Sequence, residues 1–233
     1  MIPHRRITTK NSMGWSSNTL NDLSEMFVDF CKPGHTVLDI GAAMGVASLP
    51  ALAAGAIVHA NDASAEHLKQ LATLVPEESK QRLILHPGRF PKDLKLPPDS
   101  IDAIHASNVF HFLTGRQLEL GALLLHRILR PQGRLFVIAA TPYMAPFSSF
   151  IPEFESSQSQ WPGWIENTRR VSQHRLLDQL PKSILLLDDR VLRRVFADTG
   201  FIVEKCWMFR RRDLPQSIHW DGRENVALIA HKA

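Results

Sequence analysis

Residues 36–45, TVLDIGAAMG, decide the fold of this chain. The first five residues form an apolar run that is typical of a buried strand, and Gly41 and Gly45 bound the turn that follows. A helix of small residues is predicted next, over Val46–Ala54. A strand that passes through glycines into a helix brings backbone N–H groups and the positive end of the helix dipole together. We therefore predict a ligand site at this turn.

An acidic residue marks the end of the next predicted strand, Ala56–Ala60. Asp62 follows it, and stands 23 residues after Asp39. A carboxylate in this place can accept hydrogen bonds from the two ribose hydroxyls of an adenosine-containing ligand. Doubly wound sheets bind their ligands in the crevice at the carboxyl ends of the strands, where both features would lie. A structural alternative for Asp62 is the N-cap of the following helix.

Strand and helix patterns alternate from Thr36 to Ala140, which predicts βαβ units. The predicted strands are Thr36–Ile40, Ala56–Ala60, Arg82–His86, Ser100–Ser107 and Arg134–Ala140. A later helix, Asp188–Thr199, precedes two more strands, Phe201–Phe209 and Val226–Ala230. The fold class is thus α/β, with a doubly wound, seven-stranded, mostly parallel sheet and an insert after the fifth strand.

The whole chain, 1–233, is predicted to be a single domain. Residues 1–35 form a helical N-terminal segment, 36–140 the ligand-binding core, 141–187 the insert, and 188–233 the last helix and strand pair. The prolines of the insert disfavour regular secondary structure, and its aromatic residues are too apolar for a freely solvated loop. The insert is interpreted as a mobile lid, or alternatively as a small satellite core.

Composition narrows the class of protein. Hydrophobic residues make up 44% and charged residues 21%, as in ordinary soluble proteins, and no apolar run is long enough for a membrane span. Two cysteines and no signal peptide favour a reducing cytoplasm and are too few for a zinc cluster. The net charge of +4 permits nucleic acid as a partner without indicating it. The oligomeric state is not predicted.

The turn with Asp39 before it and Asp62 after it resembles the cofactor motifs of class I S-adenosylmethionine-dependent methyltransferases. The first motif of that family runs acidic–apolar–Gly–x–Gly–x–Gly, and Ala43 stands here in place of the middle glycine. This departure is expected to widen the turn slightly or to shift the methionine moiety. Residues 96–102, 107–113 and 129–135 are also similar to the family. The resemblance implies S-adenosylmethionine as cofactor, S-adenosylhomocysteine as product, no metal, and in-line methyl transfer.

Carried over residue by residue, the resemblance implies a cofactor site formed by Asp39, Gly41, Ala42, Ala43, Gly45, Asp62, Ala63, Arg89, Phe90 and Asn108. Relatives often have an acidic residue for the adenine amino group where this chain has Arg89. Because arginine cannot accept a hydrogen bond, backbone groups are expected to recognise adenine, with Phe90 or a neighbour packed on the ring. Asn108 is expected to face the sulfonium.

The acceptor side is predicted less directly. His111 follows the fourth strand and is a candidate general base, or otherwise a wall of the pocket. Substrate contacts are predicted for Trp15, Tyr143, Trp161 and Trp164. No Asn-Pro-Pro-aromatic tetrad follows the fourth strand and neither cysteine follows a proline, which favours a small-molecule acceptor over a nucleic-acid base or a protein amide.

Other functions remain open at this point. The chain is predicted to be a methyltransferase of a small molecule, with an RNA or protein methyltransferase and a non-catalytic S-adenosylmethionine-binding protein as alternatives. A nicotinamide-dependent oxidoreductase is disfavoured, because its glycines would fall at offsets of two and then three residues. Gly41 and Gly45 are four residues apart.

Overall fold

The structure of the protein is a computed structural model that describes residues 6–8, 15–17, 19–156, 164–165, 181–210, 212 and 215–233, with the backbone alone for 6–8, 15–17 and 164–165. Its strands are, in chain order, β1 (Arg6–Thr8), β2 (Trp15–Ser17), β3 (Thr36–Ile40), β4 (Ile57–Asp62), β5 (Leu83–Pro87), β6 (Ile101–Ser107), β7 (Leu129–Ala140), β8 (Trp164–Ile165), β9 (Ile184–Leu185), β10 (Phe201–Phe209) and β11 (Asn225–Lys232). Its α-helices are α1 (Asp22–Phe30), α2 (Ser48–Ala53), α3 (Ala65–Leu74), α4 (Gly115–Ile128), α5 (Ile151–Ser156) and α6 (Asp189–Asp198).

Seven strands form one sheet in the order β10-β11-β7-β6-β3-β4-β5. Neighbouring strands are parallel from β5 to β7, whereas β11 is antiparallel to both β7 and β10. The chain moves outward from β3 in one direction and from β6 in the other, so the order of the strands reverses between these two. This confirms the predicted sheet and places the switch point at the carboxyl ends of β3 and β6.

Helices cover both faces of the sheet, as the apolar strands require. On one face, buried side chains of α4 and α6 pack on β3, β6, β7 and β11. On the other face, buried side chains of α1, α2 and α3 pack on β3, β4 and β7. Side chains cap several of these helices: Asn21 accepts from the Ser24 N–H, and Thr114 and Gln117 form a capping box at α4.

The described part of the insert contains regular structure, although its prolines were expected to disfavour it. The helix α5 has Pro152 in its first turn, where the missing N–H of proline costs no helical hydrogen bond, and β8 pairs with β9. A third apolar cluster forms around α5 and β9, and its buried members are Tyr143, Phe147, Phe150, Ile151, Phe154, Ile184 and Leu186. The satellite core therefore exists in this part of the insert.

Two predicted elements differ from the structure. The helix expected over Val46–Ala54 is shorter, since α2 begins at Ser48, and a shorter helix carries a weaker dipole. The strand pair β1–β2 precedes α1 and was not predicted. No helix among the described residues is long and apolar enough to cross a bilayer.

Candidate active site

The glycine turn after β3 is tied to the neighbouring strand by backbone hydrogen bonds. The N–H groups of Gly41 and Ala42 both donate to the Asn61 carbonyl, at 2.8 and 2.9 Å. The Gly45 N–H donates to the Ala42 carbonyl at 2.8 Å. These donors are therefore used within the protein, and their first role is to hold the shape of the turn rather than to meet a ligand.

Gly41 is required by the geometry of the turn. Its φ is +69°, in the left-handed region that favours glycine. A Cβ at this position would also clash with the Cγ2 methyl of Val109, in the segment that follows β6. The glycine thus lets the turn after β3 approach the segment after β6, which carries predicted site residues.

Ala43 adopts the same left-handed conformation without being a glycine. Its φ is +47°, and its N–H donates to Asp62 Oδ2 at 2.9 Å. The alanine therefore bears strain in a conformation that favours glycine, and the expected widening of the turn or shift of the methionine moiety stays a prediction. Such strain costs about 1–2 kcal/mol and persists only where the surroundings over-determine the backbone.

Asp62 lies at the end of β4 and is 5% exposed. Oδ2 accepts from the Ala43 N–H, and Oδ1 accepts from the Ser64 N–H at 2.8 Å and contacts His67 Nδ1 at 3.2 Å. The N-cap of α3 is Ser64, so the interpretation of Asp62 as the cap was wrong. A carboxylate has about four lone-pair directions, so three donors leave one for a ribose hydroxyl.

Asp39 lies two residues before the turn and is 2% exposed. Its Oδ2 accepts from the Ser48 hydroxyl at 2.6 Å, and its Oδ1 lies 2.8 Å from His105 Nδ1. Both oxygens are engaged by the protein, which matches the role of ordering the glycine turn. Direct contact between Asp39 and the cofactor stays a prediction.

The residues predicted to lie around adenine differ in their exposure. Ala63 and Arg89 are exposed beside the ends of β4 and β5, and the Arg89 N–H donates to Asp93 Oδ2 at 2.9 Å. Phe90 is 7% exposed and stacks on Phe110 with 5.9 Å between the ring centroids. The Phe90 ring thus belongs to the core. Its contact with adenine stays a prediction, and this burial does not favour it.

Asn108, which is predicted to face the sulfonium, lies in the segment after β6. Its φ is +59°, a conformation that asparagine tolerates better than most residues. Its amide group donates to Ser107 Oγ at 3.2 Å and accepts from Asn225 Nδ2 at 3.3 Å. The structure therefore brings together three polar side chains from the ends of β6 and β11.

His111 lies close to this group and is 6% exposed. The Ala140 N–H donates to His111 Nδ1 at 3.4 Å, and the ring packs on Phe112 with 4.1 Å between the centroids. A neutral ring whose Nδ1 accepts carries its proton on Nε2. In this state Nε2 is a donor, which suits a wall residue better than a general base. The catalytic role stays a prediction.

Tyr143 is fully buried. The Arg223 guanidinium lies over its ring at 3.7 Å from the centroid, and Arg190 donates to its hydroxyl at 3.3 Å. Desolvation raises the pKa of this phenol, although the Arg190 hydrogen bond opposes the shift. The phenol is therefore protonated and is enclosed in the apolar cluster of the insert. Its contact with substrate stays a prediction, which this burial does not favour.

The remaining predicted substrate contacts cannot be located through their side chains. Trp15 lies in β2 and Trp164 in β8, where the backbone is described, and Trp161 lies outside the described residues. No group of three or more metal-ligand side chains occurs within the described ranges. Burial raises the pKa of the Cys31 and Cys206 thiols to about 12, so neither is a thiolate nucleophile at neutral pH.

Sequence reasoning missed Asn225 and its neighbour Glu224. Both are fully buried at the start of β11, and in the described structure Asn225 Oδ1 and Glu224 Oε2 have no hydrogen-bond partner. Asn225 pairs in register with Ala140, the residue that donates to His111. Neither residue belongs to a local motif, so only the antiparallel insertion of β11 could have indicated them.

Comparison with protein families gives a match to part of the chain. Residues 37–133 match the family model of a methyltransferase domain. The matched region extends from β3 to Gly133 in β7 and includes the glycine turn, Asp62 and Asn108. No curated protein matches the sequence significantly.

Several solved structures share the fold of this chain. An S-adenosylmethionine-dependent methyltransferase from Mesorhizobium loti aligns with a TM-score of 0.63 and 21% identity, over 86% of this chain and 92% of that one. A putative S-adenosylmethionine-dependent methyltransferase from Listeria monocytogenes gives 0.64 and 14%, over 91% and 98%. The glycopeptide N-methyltransferase MtfA, in complex with sinefungin, gives 0.60 and 15%, over 91% and 86%. At these identities the likeness concerns the fold.

Proposed function

We propose that this protein is an S-adenosylmethionine-dependent methyltransferase that acts on a small-molecule acceptor bound between β6, β7 and β11. The observation that carries the proposal is the pair of fully buried oxygens, Asn225 Oδ1 and Glu224 Oε2, that lack donors in the described structure. A buried acceptor atom left without a donor costs about 1–3 kcal/mol, so a bound group that supplies N–H or O–H donors is favoured there. An acceptor small enough to be enclosed meets this need most simply.

The cofactor half fits S-adenosylmethionine through the shape of the turn and the open lone pair of Asp62. We propose that Asp62 accepts from a ribose hydroxyl and that Gly41, Ala42, Ala43 and Gly45 border the methionine moiety. When bound, the cofactor supplies an electrophilic methyl group on a sulfonium sulfur. The protein's own contribution is then to orient the acceptor and to exclude water from this edge of the sheet.

Charge pairing around the acceptor half favours a small molecule over RNA. Arg190 lies 2.9 Å from Asp188 Oδ2, and Arg223 forms an ion pair with Asp221. Arginines that are already paired with carboxylates are less available for phosphates. RNA and protein acceptors, and binding of the cofactor without turnover, are the alternatives that an experiment has to separate.

The insert is the second part of the proposal. Tyr143 and Phe154 fix its first part in the satellite core, beside Phe112 and therefore beside His111. We propose that the insert covers the acceptor, as the prediction of a lid requires; its residues 157–163 and 166–180 lie outside the described residues. Hydrogen exchange tests this: protection of 157–180 should rise when S-adenosylhomocysteine and acceptor are added, while that of 141–156 stays constant. Full protection of 157–180 without ligand would exclude a mobile lid.

The acceptor class is tested by methyl transfer from radiolabelled S-adenosylmethionine into a cell extract. The extract is separated beforehand into low-mass, RNA and protein fractions. We expect label in the low-mass fraction, and none with the Asp62→Ala variant as control. Label that enters only RNA or only protein would overturn the small-molecule assignment. Cofactor binding without transfer into any fraction would favour the non-catalytic alternative.

A further inference from the structure

A line of four buried polar side chains runs beneath the glycine turn and crosses four elements. Ser24 of α1 lies 2.9 Å from His105 Nε2, and His105 Nδ1 lies 2.8 Å from Asp39 Oδ1. Asp39 Oδ2 accepts from the Ser48 hydroxyl at 2.6 Å. None of the four side chains belongs to a residue that is more than 3% exposed. A buried polar network of this kind is rigid because each of its members has a partner.

The direction of each hydrogen bond follows from the chemistry of the groups. An ionised carboxylate only accepts, so His105 donates from Nδ1 to Asp39. The neutral ring then has its lone pair on Nε2, which accepts from the Ser24 hydroxyl. Phe27 stacks on the ring at 4.9 Å and fixes its plane. The sequence of groups is that of a Ser-His-Asp triad, but the burial of Ser24 excludes a substrate. The network therefore positions Asp39 and does not react.

The two ends of the glycine turn are attached to this network. Asp39 stands two residues before Gly41, and Ser48 is the first residue of α2, directly after the turn. Their hydrogen bond joins the strand that enters the turn to the helix that leaves it. The turn between them holds Ala43 in a strained conformation, which requires a rigid surrounding.

We propose that His105 is a positioning residue for the cofactor. Its Nδ1–H fixes the Asp39 carboxylate, which fixes Ser48 and so holds the turn in the conformation that binds the methionine moiety. His105 itself touches no ligand in this account. The proposal rests on cofactor binding at the glycine turn, as proposed above, and adds a residue from the middle of β6 to that site.

Two substitutions separate positioning from general stabilisation. In His105→Asn the side-chain amide can donate from a place close to that of Nδ1, so the bond to Asp39 is retained. In His105→Gln the amide reaches the place of Nε2 and the bond to Asp39 is lost. We expect the dissociation constant of S-adenosylhomocysteine to stay within about twofold for the Asn variant and to rise about tenfold or more for the Gln variant. Both variants should have a lower Tm.

The matched control is Asp102→Asn. Asp102 also joins β6 to β3, by accepting from the Thr36 N–H at 2.7 Å, but at the amino end of the strands. The Asp102→Asn variant should have a lower Tm and an unchanged affinity for S-adenosylhomocysteine. The proposal would be overturned if the folded His105→Gln variant bound S-adenosylhomocysteine as tightly as the wild-type protein. It would also be overturned if the Asn and Gln variants lost affinity equally. Failure of the wild-type protein to bind S-adenosylhomocysteine would instead refute the proposed cofactor site.

A measurement on the wild-type protein keeps the proposal testable if the Gln variant does not fold. The ring nitrogens of His105 should show the neutral Nδ1–H form in ¹⁵N NMR spectra, and their signals should shift when S-adenosylhomocysteine is added. Signals of His126, which packs against Phe201 on the opposite face of the sheet, should stay in place. An Nε2–H form of His105, or no shift on binding, would contradict the proposed role.

Discussion

The carboxyl edge of the sheet has two halves that are assembled from different distances along the chain. The proposed cofactor half consists of the glycine turn and Asp62, and in it Ala43 and Asp62 are 19 residues apart and are joined by a hydrogen bond. In the acceptor half, Asn108 and Asn225 are joined in the same way but are 117 residues apart. A short motif can specify the first half, whereas only the completed topology forms the second.

The two halves also differ in how far the protein satisfies its own polar groups. Asp39 and Asp62 each have protein donors on both carboxylate oxygens. In contrast, Asn225 Oδ1 and Glu224 Oε2 are buried without a donor in the described structure. From this difference we expect the proposed cofactor half to be preformed and the proposed acceptor half to be completed by its ligand.

The largest expected effect is the loss of Asp62 from the cofactor half. Asp62→Ala should weaken binding of S-adenosylhomocysteine by about 1.5–3 kcal/mol, the range for hydrogen bonds to a charged group, as measured by calorimetry. The Tm should also fall, because the backbone donors of Ala43 and Ser64 lose their acceptor. Asp221→Ala, a carboxylate change in the acceptor half, is the matched control and should leave this affinity unchanged. Equal effects of the two variants would remove the distinction between the halves.

A pH effect is expected on the cofactor side of the sheet. Burial, with a smaller contribution from His86, lowers the pKa of His59 in β4 to about 4. Between pH 6.5, the ordinary pKa of histidine, and this value, the unfolded chain binds more protons than the folded chain. The free energy of unfolding therefore decreases as the pH falls through this window. Thermal unfolding at several pH values should show a smaller acid loss of Tm for His59→Gln than for the wild-type protein. Identical pH profiles would contradict the shift.

A smaller effect is expected from relieving the strain in the turn. Ala43→Gly should raise the free energy of unfolding by about 0.5–1 kcal/mol, because glycine adopts the left-handed conformation at no steric cost. Ala42→Gly is the control. Because Ala42 has no positive φ, this variant should be less stable than the wild-type protein by a similar amount. Denaturant titrations measure both changes. A destabilised Ala43→Gly variant would show that the turn does not store strain.

The smallest effect is expected from the acceptor half on cofactor affinity. Asn225→Ala removes the hydrogen bond to Asn108. It also removes Asn225 Oδ1, a buried oxygen that has no donor in the described structure. Affinity for S-adenosylhomocysteine should change by no more than about 0.5 kcal/mol, as for independent sites. Methyl transfer in the labelled-extract assay should fall by contrast. A large loss of cofactor affinity would mean that the two halves form a single unit.

The sheet, and the closeness of the glycine turn to Asp62, were predictable from the sequence because their signals are local. The run Thr36–Ile40, the glycines and Asp62 indicated the fold, whereas their contact with a cofactor stays a prediction. The roles of Ser24 and His105 were not predictable, since they depend on α1 and β6 packing against β3. The depth of Phe90 and Tyr143 was also missed, because an aromatic residue near a site has the same sequence signal whether it lines a pocket or fills a core.

The most direct test of the account is calorimetric titration of the wild-type protein with S-adenosylhomocysteine and, separately, with a nicotinamide dinucleotide. A preformed cofactor half should bind S-adenosylhomocysteine in the micromolar range, or about 8 kcal/mol, without any acceptor present. The dinucleotide should not bind. Binding of the dinucleotide without binding of S-adenosylhomocysteine would contradict the assignment of the glycine turn and Asp62 to this cofactor.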